Sequence, residues 1–87
     1  MPAYRVDVTG SAERDLSRLS HTLFERLTTK LAALAAHPRP NGCEKLAGLE
    51  AYRLRVGDYR VLYEIDDAKR MVVVVRVRHR RDVYKKR

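Results

Sequence analysis

The chain is poor in cysteine, in long apolar runs and, near its C-terminal end, in acidic residues. Cys43 is the one cysteine among 87 residues, which excludes an intramolecular disulfide and a thiolate metal cluster. The longest apolar run, Leu31–Ala36, falls far short of the roughly 18 residues that span a membrane. Charged residues such as Arg5 and Asp7 interrupt the N-terminus, so we expect no signal peptide. We therefore expect a cytoplasmic protein that does not enter a membrane.

The length of 87 residues supports one domain and no more. Hydrophobic residues make up 45% of the chain, which is an ordinary share for a globular core. We expect a single domain over residues 1–87.

The positive charge is concentrated in the second half of the chain. Residues 1–51 carry seven basic and six acidic residues, whereas residues 52–87 carry twelve basic and five acidic ones. Within residues 76–87 seven basic residues stand against Asp82 alone. Charge gathered at one end of a domain is typical of a surface that binds a polyanion. The alternative is a solvated tail that keeps a small domain soluble.

The first half predicts a strand followed by helix. Residues 3–8 alternate between apolar and polar, as in a half-buried strand, and Thr9 or Ser11 can cap the helix that follows. Apolar residues then recur at steps of three and four from Ala12 to Leu34, which is a helical period. This stretch fits one long helix or a helical hairpin in which Ser20 caps the second helix.

After a Pro- and Gly-containing loop at 37–42 the apolar period changes to two, which predicts strands. Gly57 and Asp58 form a two-residue signal with glycine first, as a type II′ hairpin turn requires. We expect strands over 52–56, 59–65 and 71–78, with a short strand at 44–46 before them. The fold class is therefore α+β: an N-terminal strand, a helical hairpin and an antiparallel β-meander, with the helices on one face of a four- or five-stranded sheet and a short C-terminal tail.

The hairpin turn fixes where the arginines of the first two meander strands point. A two-residue loop sets Arg55 opposite Arg60 and puts Arg53 on the same face. Like charges directly opposite one another cost about 0.2–1 kcal/mol, so we expect an anion between them. The alternative is a solvated outer face with no ligand.

The third meander strand extends this basic face. If Val73, Val75 and Val77 join the apolar face, Arg76 and Arg78 emerge beside the other arginines. Guanidinium groups are permanently charged and offer phosphate a planar fork of donors. The face therefore predicts phosphate binding.

Two ring side chains follow the arginine-rich strand. Tyr84 can stack on an unpaired base, as single-stranded RNA is often bound, or can simply anchor the C-terminus. His79 is the one imidazole in the basic stretch and is a candidate general acid or base, although a histidine in a basic tail can also be incidental.

The segments YRLRVGDYRVLYEID at 52–66 and HRRDVY at 79–84 resemble the RelE/ParE superfamily of bacterial toxins, in particular the RelE branch. The resemblance spans nearly the whole chain. It implies the toxin of a type II toxin–antitoxin system that cleaves mRNA in the ribosomal A site, inhibits translation and needs no metal or other cofactor. The implied partners are the ribosome, mRNA and a cognate RelB-like antitoxin that covers the basic face, with operator DNA bound only indirectly through the antitoxin.

The resemblance also implies a site for transesterification by the ribose 2′-OH. Arg60 and Arg80 are expected to stabilise the developing charge, and Tyr84 to orient a base. A similarity to YoeB-like toxins adds Glu44 as general base and His79 as general acid. The expected RNA-binding residues are Arg53, Arg55, Arg76, Arg78, Arg81, Lys85 and Lys86, of which the first two replace the lysines of some RelE toxins.

Two other functions remain open from the sequence. A ParE-like member would inhibit DNA gyrase without nuclease activity. A non-catalytic member would bind RNA, or act as a corepressor with its antitoxin.

Overall fold

Two helices and five strands form the described part of the chain, which in the computed structural model comprises residues 3–46, 48 and 50–81. In chain order they are β1 (Arg5–Val8), α1 (Gly10–Ser17), α2 (His21–Ala33), β2 (Cys43–Lys45), β3 (Ala51–Val56), β4 (Tyr59–Asp66) and β5 (Met71–His79). The strands form one sheet in the order β1-β5-β4-β3-β2. β1 runs parallel to β5, and the other neighbours are antiparallel. The α+β prediction is confirmed.

The apolar stripe of the first half forms two helices and not one. The first helix ends at Ser17, and Ser20 caps the second. The Ser20 hydroxyl accepts a hydrogen bond from the Leu23 N–H at 3.3 Å. Thr9, one of the two expected caps, does the same for the Ala12 N–H at 3.1 Å. Each hydroxyl satisfies one of the amide groups that a helix start leaves unpaired. Neither helix is long and apolar enough to cross a bilayer within the described residues.

The core lies between the two helices and one face of the sheet. Leu27, Leu31 and Leu34 of the second helical stretch are almost fully buried. They belong to one cluster with the inward residues of the central strands. The strand members of that cluster are Tyr52, Leu54, Val56, Val61, Tyr63, Ile65, Val72, Val74 and Val77. The opposite side of the sheet, called the outer face below, carries Arg53, Arg55, Arg60, Leu62, Arg76 and Arg78.

The hairpin between β3 and β4 has the predicted register. Val56 pairs with Tyr59 and Arg55 with Arg60 across a two-residue turn. Gly57 has φ +60°, a left-handed conformation that glycine adopts without a steric cost. This is the first position of a type II′ turn, so the turn type that the sequence indicated is confirmed.

The pattern expected for the valines of β5 is wrong, and a β-bulge is the reason. Leu62 pairs with Arg76 but Tyr63 pairs with Val74, so Val75 has no partner on β4. The buried residues before the bulge are Val72 and Val74, not Val73 and Val75. An extra residue reverses the alternation of side chains. Val77 is therefore buried as predicted, and the arginines beside it point outward.

Residues of α1 and its cap hold the bulged part of β5. β1 ends opposite Val74, and the Thr9 hydroxyl donates to the Val75 carbonyl at 2.9 Å. Asp15 on α1 then accepts the Val77 N–H at 2.9 Å and the Arg76 Nε–H at 2.8 Å. Burial alone would raise the pKa of Asp15, but these hydrogen bonds and the arginine charge lower it below its ordinary value. The carboxylate thus replaces the missing strand neighbour of β5.

A second polar cluster fixes the loop that leads into β2. Arg39 donates to the Asp67 carboxylate at 2.9 Å and to the Tyr52 hydroxyl at 3.0 Å. The Tyr63 hydroxyl donates to the Pro38 carbonyl at 2.8 Å. The loop is therefore anchored before it turns into β2, whose Glu44 pairs with Arg53 on β3.

We predict that Asp15→Asn lowers the free energy of unfolding by about 1–3 kcal/mol at pH 7, because it weakens charge-assisted hydrogen bonds to a buried strand edge. The pKa of Asp15 is lower in the folded chain than in the unfolded one. The carboxylate therefore stabilises the fold above the unfolded pKa of about 3.9, and this contribution is lost as the pH falls through the folded pKa.

Urea denaturation of the wild type and of Asp15→Asn, at pH 7 and at pH 3, measures the difference in their free energies of unfolding. Asp7→Asn is the control, because Asp7 forms an exposed pair with Arg5 and such pairs contribute about 0–1 kcal/mol. Equal losses for the two variants would contradict the structural role of Asp15.

Candidate functional site

Three arginines form a transverse row on the outer face. Arg55 on β3 lies directly opposite Arg60 on β4, which lies directly opposite Arg78 on β5. Neighbouring strands are about 4.8 Å apart, so the row spans about 10 Å. Each directly opposed pair of like charges costs about 0.2–1 kcal/mol. We name this set, Arg55, Arg60 and Arg78, the arginine row.

The next row along the strands is different, since its arginines have carboxylate partners. The Arg53 Nη2 donates to Glu44 Oε1 at 2.6 Å. Arg76 reaches around the edge of β5 to Asp15. Leu62 lies between these two arginines in the sheet. Arg76 therefore belongs to the fold, although the sequence placed it among the RNA-binding residues.

Two members of the arginine row, Arg55 and Arg78, are not in ion pairs within the described residues, since no carboxylate there lies within 4 Å of either guanidinium. A depression of about 450 Å³ opens on the β3 side of the row. It is lined by Gly42, Glu44, Arg53, Arg55 and Arg60. An anion in this depression would meet guanidinium groups from two strands.

Glu44 is the carboxylate of this depression. The hydrogen bond from Arg53 and the charge of Arg53 lower its pKa, and Arg60 and Arg55 lower it further. Glu44 is therefore ionised across the neutral range and can only accept hydrogen bonds there. The structure thus brings Glu44 to the same depression as Arg53, Arg55 and Arg60, which the sequence also indicated as site residues.

His79 lies on the other side of the sheet. It pairs with Tyr59, one residue along from the Arg60–Arg78 pair, so its side chain projects from the helix face. The two rings meet edge to face with centroids 5.2 Å apart. Adjacency in sequence to Arg78 suggested that His79 joins the arginines, but alternation along β5 separates them.

The remaining candidate residues follow β5. Arg80 is exposed, and its N–H donates to the Asp58 carbonyl at 2.7 Å, which ties the end of β5 to the hairpin turn. Arg81 is exposed as well. Tyr84, Lys85 and Lys86 lie outside the described residues.

Arg78 rather than Arg80 is the arginine that the sheet sets beside Arg60. The sequence placed Arg78 on this face but gave it no role with Arg60. The pairing of Arg60 with Arg78 follows from the register between β4 and β5, and that register depends on the β-bulge at Val75. For metals, no group of three or more His, Cys, Asp and Glu side chains in the described ranges is arranged to hold an ion.

Comparison with known proteins identifies the family. A family model described as the ParE toxin of the type II toxin–antitoxin system parDE matches residues 6–84. Toxin RelG of Mycobacterium tuberculosis is 36% identical over 87 residues, which cover 95% of this chain and 98% of RelG. The chain belongs to the RelE/ParE superfamily of toxins. The mRNA interferase toxin RelE of Escherichia coli is also similar, at 34% identity over 94% of this chain and 90% of RelE.

Solved structures of RelE/ParE-superfamily toxins share the fold. The RelBE2 toxin–antitoxin complex of Mycobacterium tuberculosis contains a chain that matches with a TM-score of 0.80 at 32% identity, over 91% of this toxin and 99% of that chain. The RelE–RelB complex of Pyrococcus horikoshii matches with a TM-score of 0.82 at 28% identity, over 88% and 94%. The resemblance stated from the sequence is thereby confirmed, and the chain is a RelE-like toxin of a type II toxin–antitoxin system.

Two neighbouring arginines of this toxin should have opposite effects on stability. We predict that Arg78→Gln raises the free energy of unfolding by about 0.2–1 kcal/mol, because it removes a like charge opposite Arg60. Arg76→Gln should lower the free energy of unfolding by about 1–2 kcal/mol, because the Asp15 carboxylate loses its charged donor. Urea denaturation at low salt measures both changes. Destabilisation of equal size by both substitutions would contradict the division of the arginines into two rows.

Proposed function

We propose that this toxin is a ribosome-dependent mRNA endoribonuclease, which inhibits translation by cleaving mRNA in the A site. The observation that carries the proposal is the arginine row, three permanently charged side chains that face one another across three strands. Guanidinium groups gathered on one face suit the phosphates of a polyanion, because each offers a planar fork of donors and a permanent charge. The E. coli relative that is named an mRNA interferase supports an RNA substrate.

The proposed reaction is transesterification within the RNA. The ribose 2′-oxygen attacks the adjacent phosphorus, and the bond from phosphorus to the 5′-oxygen of the next nucleotide breaks. The 2′-OH proton passes to the general base, and the 5′-oxygen takes a proton from solvent water. The products are a 2′,3′-cyclic phosphate and a 5′-hydroxyl. Negative charge gathers on the phosphorane oxygens in the transition state, so fixed donors aimed at these oxygens lower the barrier. Arg60, at the centre of the row, is positioned for this role with Arg55 and Arg78 on either side.

Glu44 is the proposed general base for the 2′-hydroxyl. It lines the same depression as Arg55 and Arg60. Arg53 holds the Glu44 carboxylate at 2.6 Å, which fixes its position and keeps it ionised. Its lowered pKa makes Glu44 a weaker base, but one that is deprotonated at the pH of the cell.

His79 as general acid stays a prediction from the family, and the structure has its side chain project from the helix face. Arg80 as a second charge-stabilising residue and Tyr84 as a base-stacking residue stay predictions from the family. Arg53 and Arg55, with Arg81, Lys85 and Lys86, are the proposed contacts to the RNA backbone.

The proposed partners are the ribosome, mRNA and a RelB-like antitoxin in the cytoplasm, all engaging the single domain of residues 1–87. Relatives have been solved as toxin–antitoxin complexes, which supports an antitoxin for this chain. We propose that the antitoxin covers the outer face and binds operator DNA for the complex.

The arginine row can be tested by ribosome-dependent cleavage. We predict that Arg60→Ala and Arg78→Ala each slow mRNA cleavage by about 100- to 1,000-fold, because a donor to the developing charge is lost. Lys69→Ala is the matched control, since Lys69 is exposed in the turn between β4 and β5, and it should cleave like the wild type.

The measurement is primer extension on mRNA from a translating lysate. Full cleavage by Arg78→Ala would contradict the assignment. Loss of DNA supercoiling without cleaved mRNA, produced by the wild-type toxin, would instead indicate a gyrase inhibitor, and neither effect would indicate a non-catalytic protein.

The role of Glu44 as general base can be tested separately from the arginine row. We predict that Glu44→Gln slows cleavage by at least about 100-fold, as loss of a general base does. Glu64→Gln should cleave like the wild type, because Glu64 lies farther along the outer face, opposite Ala51.

Arg53→Gln should raise the pKa of Glu44 toward its ordinary value, since it removes the main cause of the lowered pKa. Carboxyl ¹³C NMR titration follows that change. Full cleavage by Glu44→Gln would remove Glu44 from the mechanism, and an unaltered pKa would remove Arg53 as the cause of the lowered pKa of Glu44.

A further inference from the structure

A second depression lies where α1 passes the end of β5. Its volume is about 330 Å³, which is at the small end of the range for ligand pockets. It opens at this position because β1 ends opposite Val74 and does not continue along β5. The side chains used below line it: Asp15, Arg18, Tyr59, Arg76, Arg78 and His79.

Two rings form one wall of this depression. Tyr59 and His79 are a cross-strand pair, meet edge to face and are both half-exposed. The His79 Nδ1 accepts the Arg81 N–H at 3.2 Å. The neutral tautomer therefore carries its proton on Nε2, and no hydrogen-bond acceptor for that proton lies among the described residues. Proteins bind unpaired RNA bases by stacking them on tyrosine or histidine and hydrogen-bonding their edges.

The charges around the rings suit a nucleotide. Arg18 is exposed at the rim, and Arg78 borders the depression while also belonging to the arginine row. The Asp15 carboxylate already accepts from Arg76 and the Val77 N–H, so its charge is largely compensated. A chain of phosphates that crosses the row from β3 to β5 therefore meets this depression at the edge of the sheet.

We propose that this depression binds the unpaired base of a nucleotide next to the phosphate held by the arginine row. The proposal rests on the proposed function and adds to it a subsite for one unstacked base beside the arginine row. It gives His79 a role in recognising the base, and makes Tyr59 and Arg18 parts of the same subsite.

The test is an abasic scan on the full chain. The probes are 2′-O-methyl hexanucleotides, which cannot undergo the 2′-OH reaction, with one base removed at each position in turn. Fluorescence anisotropy gives the affinities. In the wild type, removal of one particular base should weaken binding by about 5- to 150-fold, the range that corresponds to the loss of one stacked base. His79→Ala should reduce this penalty to less than about twofold, since the ring is gone.

Two variants control for folding and for the loss of a histidine. His79→Phe keeps an aromatic face and should keep most of the penalty. His37→Ala removes a histidine from the loop after α2 and should leave the penalty unchanged. The subsite would be overturned if the wild type bound all the abasic probes with equal affinity. It would also be overturned if His79→Ala lost as much affinity as the wild type when the base is removed. Either result would leave the proposed function intact. Failure of every hexanucleotide to bind would also overturn the subsite, whereas the proposed function is overturned only by absence of cleaved mRNA in the translating lysate.

Discussion

The β-bulge at Val75 is the constraint on which the arrangement of this toxin depends. Without the extra residue, the alternation along β5 would bury Arg76 and Arg78 and expose Val77. The bulge reverses that alternation halfway along the strand, so that the first part of β5 contributes valines to the core and the last part contributes arginines to the outer face. The first helix holds the bulge: Thr9 donates to the Val75 carbonyl and Asp15 accepts the Val77 N–H. The fold and the candidate site thus depend on the same few hydrogen bonds.

The arginines of the outer face fall into two groups, one paired with carboxylates and one in the arginine row. Arg53 and Arg76 are held by Glu44 and Asp15, and these pairs fix a carboxylate at the site and a helix against the sheet edge. Arg55, Arg60 and Arg78 form the next row and lie opposite one another across three strands. In the proposed function this row binds the sugar–phosphate backbone of the mRNA. The number of arginines alone does not show which of them are paired with carboxylates. That pairing pattern is what marks the arginine row as the middle of the candidate site.

Features set by nearby residues could be predicted from the sequence. The caps at Thr9 and Ser20 and the two-residue turn at Gly57 are local, and the turn alone fixes the pairing of Arg55 with Arg60. The features that were predicted wrongly depend on contacts between residues far apart in the sequence. The bulge requires hydrogen bonds between α1 and β5, so the phase of the valines was wrong at Val73 and Val75. For the same reason the partner of Arg76, and the face from which His79 projects, could not be read from sequence neighbours.

The salt dependence of RNA binding tests the central claim most directly, which is that the arginine row receives the phosphates. For single-stranded RNA, the logarithm of the affinity falls by about 0.7 per logarithmic unit of salt for each phosphate that is neutralised. The account predicts that Arg55→Gln and Arg78→Gln each reduce the magnitude of that slope by about 0.7, while Arg76→Gln leaves it unchanged. Equal reductions for all three variants, or none for Arg55→Gln and Arg78→Gln, would contradict it.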